Sequence, residues 1–287
     1  MLAPRTANLR VFSILSLLPT VQRRPMSSFT LNKSIFNPAL YHRVRDVWFE
    51  GHSLDTKMPK PEVMQRWWMA PPEEKLRFDS HCRDNFGAAL SAIGPENWPS
   101  PNVSPFVQEI QDAARANSDD NGVEAAWTAL SIILLLDQMS RNIYRTSDGL
   151  VKIYTHYDKI AQALIGTILS EDSPIGRLDL NPMWLLKPMH RSWFYMPLLH
   201  SEDIDQHKQV NAIIEELSAE LDEGGADEES MAKGYWQKFA AAEKDHVDII
   251  EKFGRYPHRN DCLGRESTEE EKTFLKDGGK TFGVAQK

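Results

Sequence analysis

The chain has 287 residues, of which 41% are hydrophobic, 9% aromatic and 26% charged. This composition is that of a globular protein, and it excludes a wholly disordered or fibrous chain. The net charge of −8 hides an asymmetry, because residues 1–45 contain seven Lys or Arg and no acid, which leaves −15 on the rest. An acidic body argues against a surface that neutralises the phosphates of a nucleic acid, so we expect no nucleic-acid partner.

Residues 1–33 are predicted to be a disordered, targeting-like segment. Within it, residues 1–24 contain four arginines, no acid, and apolar residues interrupted by serines, a pattern typical of a mitochondrial transit peptide. The sequence therefore predicts a mitochondrial matrix protein if translation starts at Met1. If Met26 is the true start, the predicted location is the cytoplasm.

The spacing of the cysteines and the length of the apolar runs limit the classes of protein to which the chain can belong. Cys82 and Cys262 are far apart and belong to no C-x-x-C pair, which favours two reduced thiols in a reducing compartment. No apolar run approaches the roughly 20 residues that a membrane helix needs, so we expect no membrane span.

Helix signals dominate from Ser34 onward, and no run of alternating β-branched residues is present. The sequence therefore predicts one all-α domain over residues 34–277, without strands, followed by a frayed tail at 278–287. An aromatic-rich link is expected at 181–197. The predicted helices lie near 38–49, 72–90, 105–116, 124–144, 151–168, 201–221, 230–253 and 267–275. The helix at 124–144 is apolar on every side around 132–136, which predicts that it is the central helix.

The first polar block follows this apolar helix. Asp137, Arg141 and Arg145 stand at i, i+4 and i+8, with Asn142 between them, and this spacing predicts one ridge on the helix. A buried guanidinium needs carboxylates, carbonyls or an anionic ligand as partners. The alternative is that Asp137 and Arg141 pair internally and hold helices together.

The second block contains His200, Ser201 and Glu202. Ser201 is predicted to be a helix N-cap, with Glu202 in the first helical turn. A histidine beside a carboxylate can serve as an acid, a base or a metal ligand. Capping and core packing form the alternative interpretation of the same residues.

The third block is a loop shaped by Gly and Pro that contains Arg255, His258, Arg259, Asn260 and Arg265. Its arginines have the planar fork that binds phosphate or carboxylate. They could equally donate to the free carbonyls at helix C-termini. The chain contains no G-x-G-x-x-G, Walker A, G-x-S-x-G, H-E-x-x-H or EF-hand motif, and no cofactor is predicted.

These blocks resemble the domain-of-unknown-function 924 family, which is common in bacteria and present in fungi. The matching residues are Val47-Trp48-Phe49, Leu135-Leu136-Asp137-Gln138-x-x-Arg141-Asn142-x-x-Arg145, Phe194-Tyr195-Met196-Pro197-Leu198-x-His200-Ser201-Glu202 and Phe253-Gly254-Arg255-Tyr256-Pro257-His258-Arg259-Asn260 with Leu263-Gly264-Arg265. Met139-Ser140 departs from the Phe-Pro usual in the family, and the region 95–122 looks expanded. The resemblance implies a compact bundle of antiparallel, tetratricopeptide-like helical pairs. It implies no established activity.

Our leading hypothesis is a polar pocket that binds a small anionic ligand, a phosphate or carboxylate metabolite, because all three blocks lie at helix ends. Its predicted ligand-binding residues are Asp137, Arg141, Asn142, Arg145, Arg255, Arg259 and Asn260. If the pocket is catalytic, the acid or base would be His200 or His258, with Glu202 as the orienting carboxylate.

Two alternatives belong to other classes. An interaction scaffold would bind a partner peptide in an aromatic groove, with Trp67, Trp68 and Trp193, away from the arginines. A metal-dependent hydrolase would use His200, Glu202, His246 and His258, although their spacing is irregular.

Overall fold

The computed structural model describes residues 29–50, 60–221 and 227–282. Within these ranges every regular element is a helix and no β-strand occurs, which confirms the predicted all-α fold. The helices are α1 (Pro38–Phe49), α2 (Pro61–Met69), α3 (Pro72–Ala92), α4 (Ser104–Ala116), α5 (Val123–Leu134), α6 (Ser140–Ile143), α7 (Ser147–Lys152), α8 (Asp158–Leu169), α9 (Pro188–Arg191), α10 (Met196–Leu199), α11 (Ile204–Glu220), α12 (Asp227–Phe253) and α13 (Glu269–Lys276).

The first helices begin at signals that are visible in the sequence. The Asn37 side chain caps α1 by accepting a hydrogen bond from the Leu40 N–H at 3.3 Å. Helix α3 begins at Pro72, as predicted, because proline fits the first helical turn without the loss of a hydrogen bond. Helix α2 was not predicted, although it also begins at a proline. It ends at Met69, and its C-cap, Ala70, precedes Pro71.

Helix α5 forms the centre of the domain, as predicted. Every residue from Ala125 to Leu134 is buried, because α1 and α4 both pack on this helix. The continuous helical segment Val123–Ile143 is long and apolar enough to be a candidate membrane span, but 83% of its most apolar window is buried inside the domain. Such burial is a property that core helices of globular domains share.

Two π-helical turns interrupt the long helices of the centre. One, Leu135–Met139, joins α5 to α6, and the other, Ile153–Tyr157, joins α7 to α8. The two turns contact each other. A π turn places an extra residue in the helical turn and occurs frequently at functional sites. Asp137 lies in the first turn and Tyr154 in the second.

Three predicted helix boundaries were wrong. Helix α6 ends at Ile143, so Arg145 lies beyond the helix and does not extend the predicted ridge. The N-cap of α11 is Asp203, which accepts from its own first turn, and Ser201 instead accepts from the Asp203 N–H. The capping box of α13 uses Thr268 and Glu271, one position later than the predicted pair of residues 267 and 270.

The aromatic-rich segment 181–197 is part of the core. It forms short helical turns together with α9 and the start of α10. The side chains of Trp184, Trp193, Phe194 and Tyr195 are all at most 2% exposed. These rings fill the space between α5 and α12, which both contact this segment.

The two ends of the described chain contact the domain. Phe29 stacks on Trp98 with ring centroids 4.3 Å apart, and Leu31 is buried, although both residues belong to the predicted N-terminal segment. The predicted transit peptide at residues 1–24 lies outside the described residues. In the predicted tail, Phe282 stacks on His246 at 3.9 Å, and residues 283–287 lie outside the description.

Candidate functional site

A cavity of about 470 Å³ lies where α2, the start of α3, α6, the second π turn and the C-terminal loop converge. The C-terminal loop is the segment 254–268 between α12 and α13. This volume falls in the range of small-molecule sites. Five cationic residues line the cavity, and its described lining contains no Asp or Glu. The cationic residues are Arg66, Lys75, Arg141, Arg145 and Arg259. An acidic chain therefore presents a cationic surface at this cavity.

The carboxylate of Asp137 lies fully buried behind the cavity lining. Its Oδ1 is 2.7 Å from His200 Nδ1 and 3.3 Å from Arg141 Nη1, and its Oδ2 accepts from Gln138 Nε2 at 2.6 Å. Burial by itself raises the pKa of Asp137, but His200, Arg141 and Gln138 outweigh burial and bring that pKa to about 2. Asp137 is therefore ionised at neutral pH.

The tautomer of His200 follows from this carboxylate. An ionised carboxylate can only accept hydrogen bonds, so Nδ1 of His200 carries the hydrogen and Nε2 carries the lone pair. Burial, helped by Arg141, lowers the pKa of His200 against the opposing effect of Asp137. His200 lines the cavity and is a neutral imidazole at neutral pH. Its basic nitrogen, Nε2, forms no hydrogen bond with another described residue.

The guanidinium of Arg141 donates hydrogen bonds to other groups of the protein. Its two Nη atoms fork onto the Asp158 carboxylate at 2.7 and 3.0 Å, and Nη1 also donates to the Asp137 carbonyl at 2.9 Å. Asp158 begins α8 and Arg141 lies in α6. This cavity-lining arginine thus holds two helices together, in agreement with the architectural interpretation of the first block.

Arg145 is also paired. Its Nε and Nη2 donate to Asp79 at 2.9 and 2.8 Å, and Nη2 donates to Asn142 Oδ1 at 3.2 Å. Asn142 donates in turn to the Gln138 carbonyl at 2.9 Å. Arg145 and Asn142 both line the cavity, but Asp79 already balances the arginine charge.

Arg259 differs from these arginines because no described carboxylate forms an ion pair with it. The residue is 6% exposed. Its guanidinium carbon lies 4.4 Å from the ring centroid of Tyr154 and 4.5 Å from that of Tyr256. Nη2 donates to the His200 carbonyl at 2.9 Å, whereas Nε is buried without a partner. Arg259 is a buried cation without a direct ion pair among the described residues, an arrangement that proteins normally avoid. The nearest carboxylate influence is that of Glu202, whose pKa Arg259 helps to lower although Glu202 pairs with Arg265.

Lys75 is the second cation of the cavity without an ion pair among the described residues. It lies in the first turns of α3 and is half-buried. Burial lowers the pKa of Lys75, and the nearby charge of Arg145 lowers it further. The nearby Asp79 carboxylate opposes this lowering, and a bound anion would oppose it further, because an opposite charge favours the charged form of an amine.

Two further histidines line the cavity. His246 donates from Nδ1 to the Ala242 carbonyl at 2.8 Å, and the Nδ1 of His258 is buried without a partner. Burial brings the pKa of each to about 3, and for His258 the charge of Arg259 adds to that effect. Both imidazoles are therefore neutral at neutral pH.

The sequence suggested that Glu202 orients His200, but the structure places the Glu202 carboxylate elsewhere. Its carboxylate accepts from Arg265 at 2.7 and 2.9 Å and from the Tyr256 N–H at 2.9 Å. It thereby ties the start of α11 to the C-terminal loop, and it does not line the cavity. The carboxylate beside His200 is that of Asp137.

Arg255 and Asn260 also lie outside the cavity lining. Arg255 forks onto Glu271 at 2.7 and 2.8 Å and donates to the Glu266 carbonyl. Asn260 donates to the Ser267 hydroxyl at 3.1 Å. Both residues stabilise the loop that carries Arg259. Of the predicted ligand-binding residues, Arg141, Asn142, Arg145 and Arg259 line the cavity, while Asp137 supports them from behind.

Two of the three tryptophans that the scaffold alternative singled out line this cavity, and the third, Trp193, is buried behind Trp68. Trp67 and Trp68 of α2 line the cavity together with the arginines. Trp68 is 52% exposed, and one of its faces stacks on the buried Trp193 at 5.5 Å with an interplanar angle of 9°. The cavity therefore combines cationic and aromatic surfaces.

Sequence reasoning missed Lys75, Arg66 and Tyr154. In the sequence Lys75 is an ordinary charged residue in the first turn of an amphipathic helix, and no pattern connects it to the later blocks. Arg66 pairs with Glu50 and lies over the Phe78 ring at 4.6 Å.

Among the described residues, no group of three or more His, Cys, Asp or Glu side chains is arranged to hold a metal ion.

Comparisons with known proteins identify a family but no activity. The family model described as "Bacterial protein of unknown function (DUF924)" matches residues 44–279. A solved structure of a protein of unknown function from Agrobacterium tumefaciens is similar to the chain at 24% identity with a TM-score of 0.44, and the match covers 86% of this chain and 100% of that one. No curated protein shows significant similarity.

Proposed function

Because the chain belongs to the DUF924 family, whose description names no activity, we propose its function from the cavity itself: it binds a small anionic ligand, a phosphate or carboxylate metabolite. The observation that carries this proposal is the buried, unpaired guanidinium of Arg259. A charge in such a place is strongly disfavoured unless an opposite charge joins it. The ligand supplies that charge.

The other cations of the cavity fall into two groups under this proposal. Arg66, Arg141 and Arg145 already have carboxylate partners and shape the lining. Lys75 has none among the described residues and supplies the second free positive charge. Arg259 provides planar donors and Lys75 provides a point charge, and these are complementary ways to bind phosphate or carboxylate.

Thermal unfolding with added inorganic pyrophosphate, or separately with succinate, tests the proposal. A ligand at about 100 times its Kd stabilises the native state by about 2.7 kcal/mol, which raises Tm by roughly 2–4 °C per kcal/mol in a domain of this size. We expect such a rise with wild type and a much smaller one with Arg259→Gln. Arg255→Gln is the matched control, because this arginine belongs to the same loop but pairs with Glu271 outside the cavity. An equal rise in wild type and Arg259→Gln would contradict the proposal.

The aromatic side of the cavity indicates that the ligand also has an apolar, planar part. Trp48, Trp67, Trp68 and Phe78 all line this side. A stacked aromatic pair contributes about 0.5–1.5 kcal/mol beyond burial of area. We therefore expect phenyl phosphate to bind several-fold more tightly than inorganic phosphate, and Trp68→Ala to abolish that difference. If Trp68→Ala weakens both ligands equally, the ring does not contact Trp68.

A further inference from the structure

The cavity contains an arrangement that binding alone does not require. His200 lines the cavity and its Nδ1 lies 2.7 Å from the buried carboxylate of Asp137. The other ring nitrogen, Nε2, forms no hydrogen bond with another described residue, and it lies on the ring edge opposite Nδ1. The carboxylate thus orients an imidazole whose lone pair is available to a molecule in the cavity.

The anion site adjoins this imidazole. Nη2 of Arg259 donates to the carbonyl of His200 itself at 2.9 Å, so the guanidinium and the imidazole belong to neighbouring parts of one cavity. A ligand whose anionic group pairs with Arg259 occupies the same cavity that the imidazole of His200 lines. Proximity of this kind between an anchored substrate and a base is a large source of catalysis.

We propose that His200, oriented by Asp137, is the general base of an esterase site in which water attacks a carboxylic ester whose separate anionic group is held by Arg259. This inference rests on the proposed function and adds a reaction to it. The described lining of the cavity contains no Ser, Thr or Cys, so water is the nucleophile that the base activates.

The reaction balances without an oxidant or a further reactant. His200 Nε2 takes a proton from water while the water oxygen bonds to the carbonyl carbon. When the tetrahedral intermediate collapses, the bond from carbon to the alcohol oxygen breaks, and the imidazolium returns the proton to that oxygen. The products are an alcohol and a carboxylic acid, which ionises. A phosphate ester is the weaker candidate, since its loose transition state gains less from a base on the nucleophile.

Several charged or titratable groups face His200. Asp137 lies in the first π turn, Arg141 in α6, Asp158 at the start of α8 and His246 in α12. Arg259 lines the same cavity and donates to the backbone carbonyl of His200. Burial and Arg141 lower the pKa of His200, so the base is in its neutral, active form at pH 7. We therefore expect kcat/KM to rise with pH below the ordinary histidine pKa of about 6.5 and to be constant above it.

Hydrolysis of mono(4-nitrophenyl) succinate, an activated ester with its own carboxylate, tests this proposal. We expect wild type to hydrolyse it and to prefer it over neutral 4-nitrophenyl acetate. His200→Gln should lower the rate about 100-fold or more, the usual contribution of a general base, and should still show the Tm rise with succinate. His81→Gln, in an exposed histidine of α3, is the control and should retain the wild-type rate.

The rates of hydrolysis and the binding of succinate test the role of His200 and the anion site separately. If wild type binds succinate but does not hydrolyse the ester, or if His200→Gln is as fast as wild type, the base is overturned and the proposed function stands. If His200→Gln abolishes hydrolysis but Arg259→Gln leaves the preference for the anionic ester intact, the base stands and the anion site falls. If wild type neither binds nor hydrolyses, both fall.

Discussion

Nδ1 of His200 lies 2.7 Å from Oδ1 of Asp137, across 63 positions of sequence. The contact joins the residue that follows α10 to the π turn that follows α5. The Asp137 side chain is fully buried, whereas 13% of the His200 side chain is exposed at the cavity. Because no water reaches the carboxylate, its hydrogen bonds and ion pairs are stronger than they would be in solvent. This pair makes the domain sensitive to changes at either residue.

Asp137→Asn tests how much the buried carboxylate contributes to stability. An amide is neutral and must place its NH₂ group among the donors of His200, Arg141 and Gln138. We expect the free energy of unfolding to fall by about 3 kcal/mol, the size typical of a broken buried ion pair. Urea denaturation with an unchanged m-value measures the loss. Asp112→Asn is the control, because Asp112 is half exposed and its ion pairs are on the surface, so the loss should be below about 1 kcal/mol.

His258 makes the protein sensitive to mild acid. Its pKa is about 3 in the folded protein because of burial, and the unfolded chain takes up the proton near pH 6.5. The unfolded state therefore binds more protons between these values, and the free energy of unfolding falls as pH decreases from 6.5 toward 3. Replacement by Gln should make this fall shallower in urea denaturation at pH 7, 5 and 4. If the free energy of unfolding falls equally with decreasing pH in wild type and in His258→Gln, His258 is not the source of the acid sensitivity.

Glu271 adds a second loss of stability at lower pH. A hydrogen bond from Arg255 holds the pKa of Glu271 at about 2, below its ordinary value of 4.5. This contribution is complete above pH 4.5 and disappears as pH falls toward 2. Glu271→Gln should be less stable than wild type at pH 7, with the difference narrowing by pH 3. A constant difference across this range would show that the ion pair with Arg255 contributes no pH dependence.

Leucines in the centre and on the surface should respond very differently to truncation. Leu130 of α5 is fully buried, whereas Leu76 of α3 is 69% exposed. Leu130→Ala removes packed methyl groups and leaves a cavity, so we expect a loss of about 2–5 kcal/mol. Leu76→Ala should change stability by less than about 0.5 kcal/mol. Thermal or urea unfolding of both variants compares them directly, and equal effects would place the core elsewhere.

The sequence was most informative about local structure. Asn37 and Pro38 predict the start of α1 because capping and proline geometry act within a few residues. The apolar run at 132–136 predicts the central helix for the same kind of reason, since a helix that is apolar on all sides must be surrounded. The resemblance carried by the polar blocks led to the same family as the comparison.

Tertiary structure decided which carboxylate pairs with which cation or histidine. The sequence placed Asp137, Arg141, His200 and Arg259 among the candidates, but it suggested Glu202 as the partner of His200 and counted Arg255 with the cavity residues. The π turn at Leu135–Met139 presents Asp137 to His200, while Arg265 and Glu271 engage Glu202 and Arg255. Spacing along a chain cannot specify which of several carboxylates a distant cation reaches. That choice depends on how the helices pack, and packing left Arg259 buried at the cavity without an ion pair among the described residues.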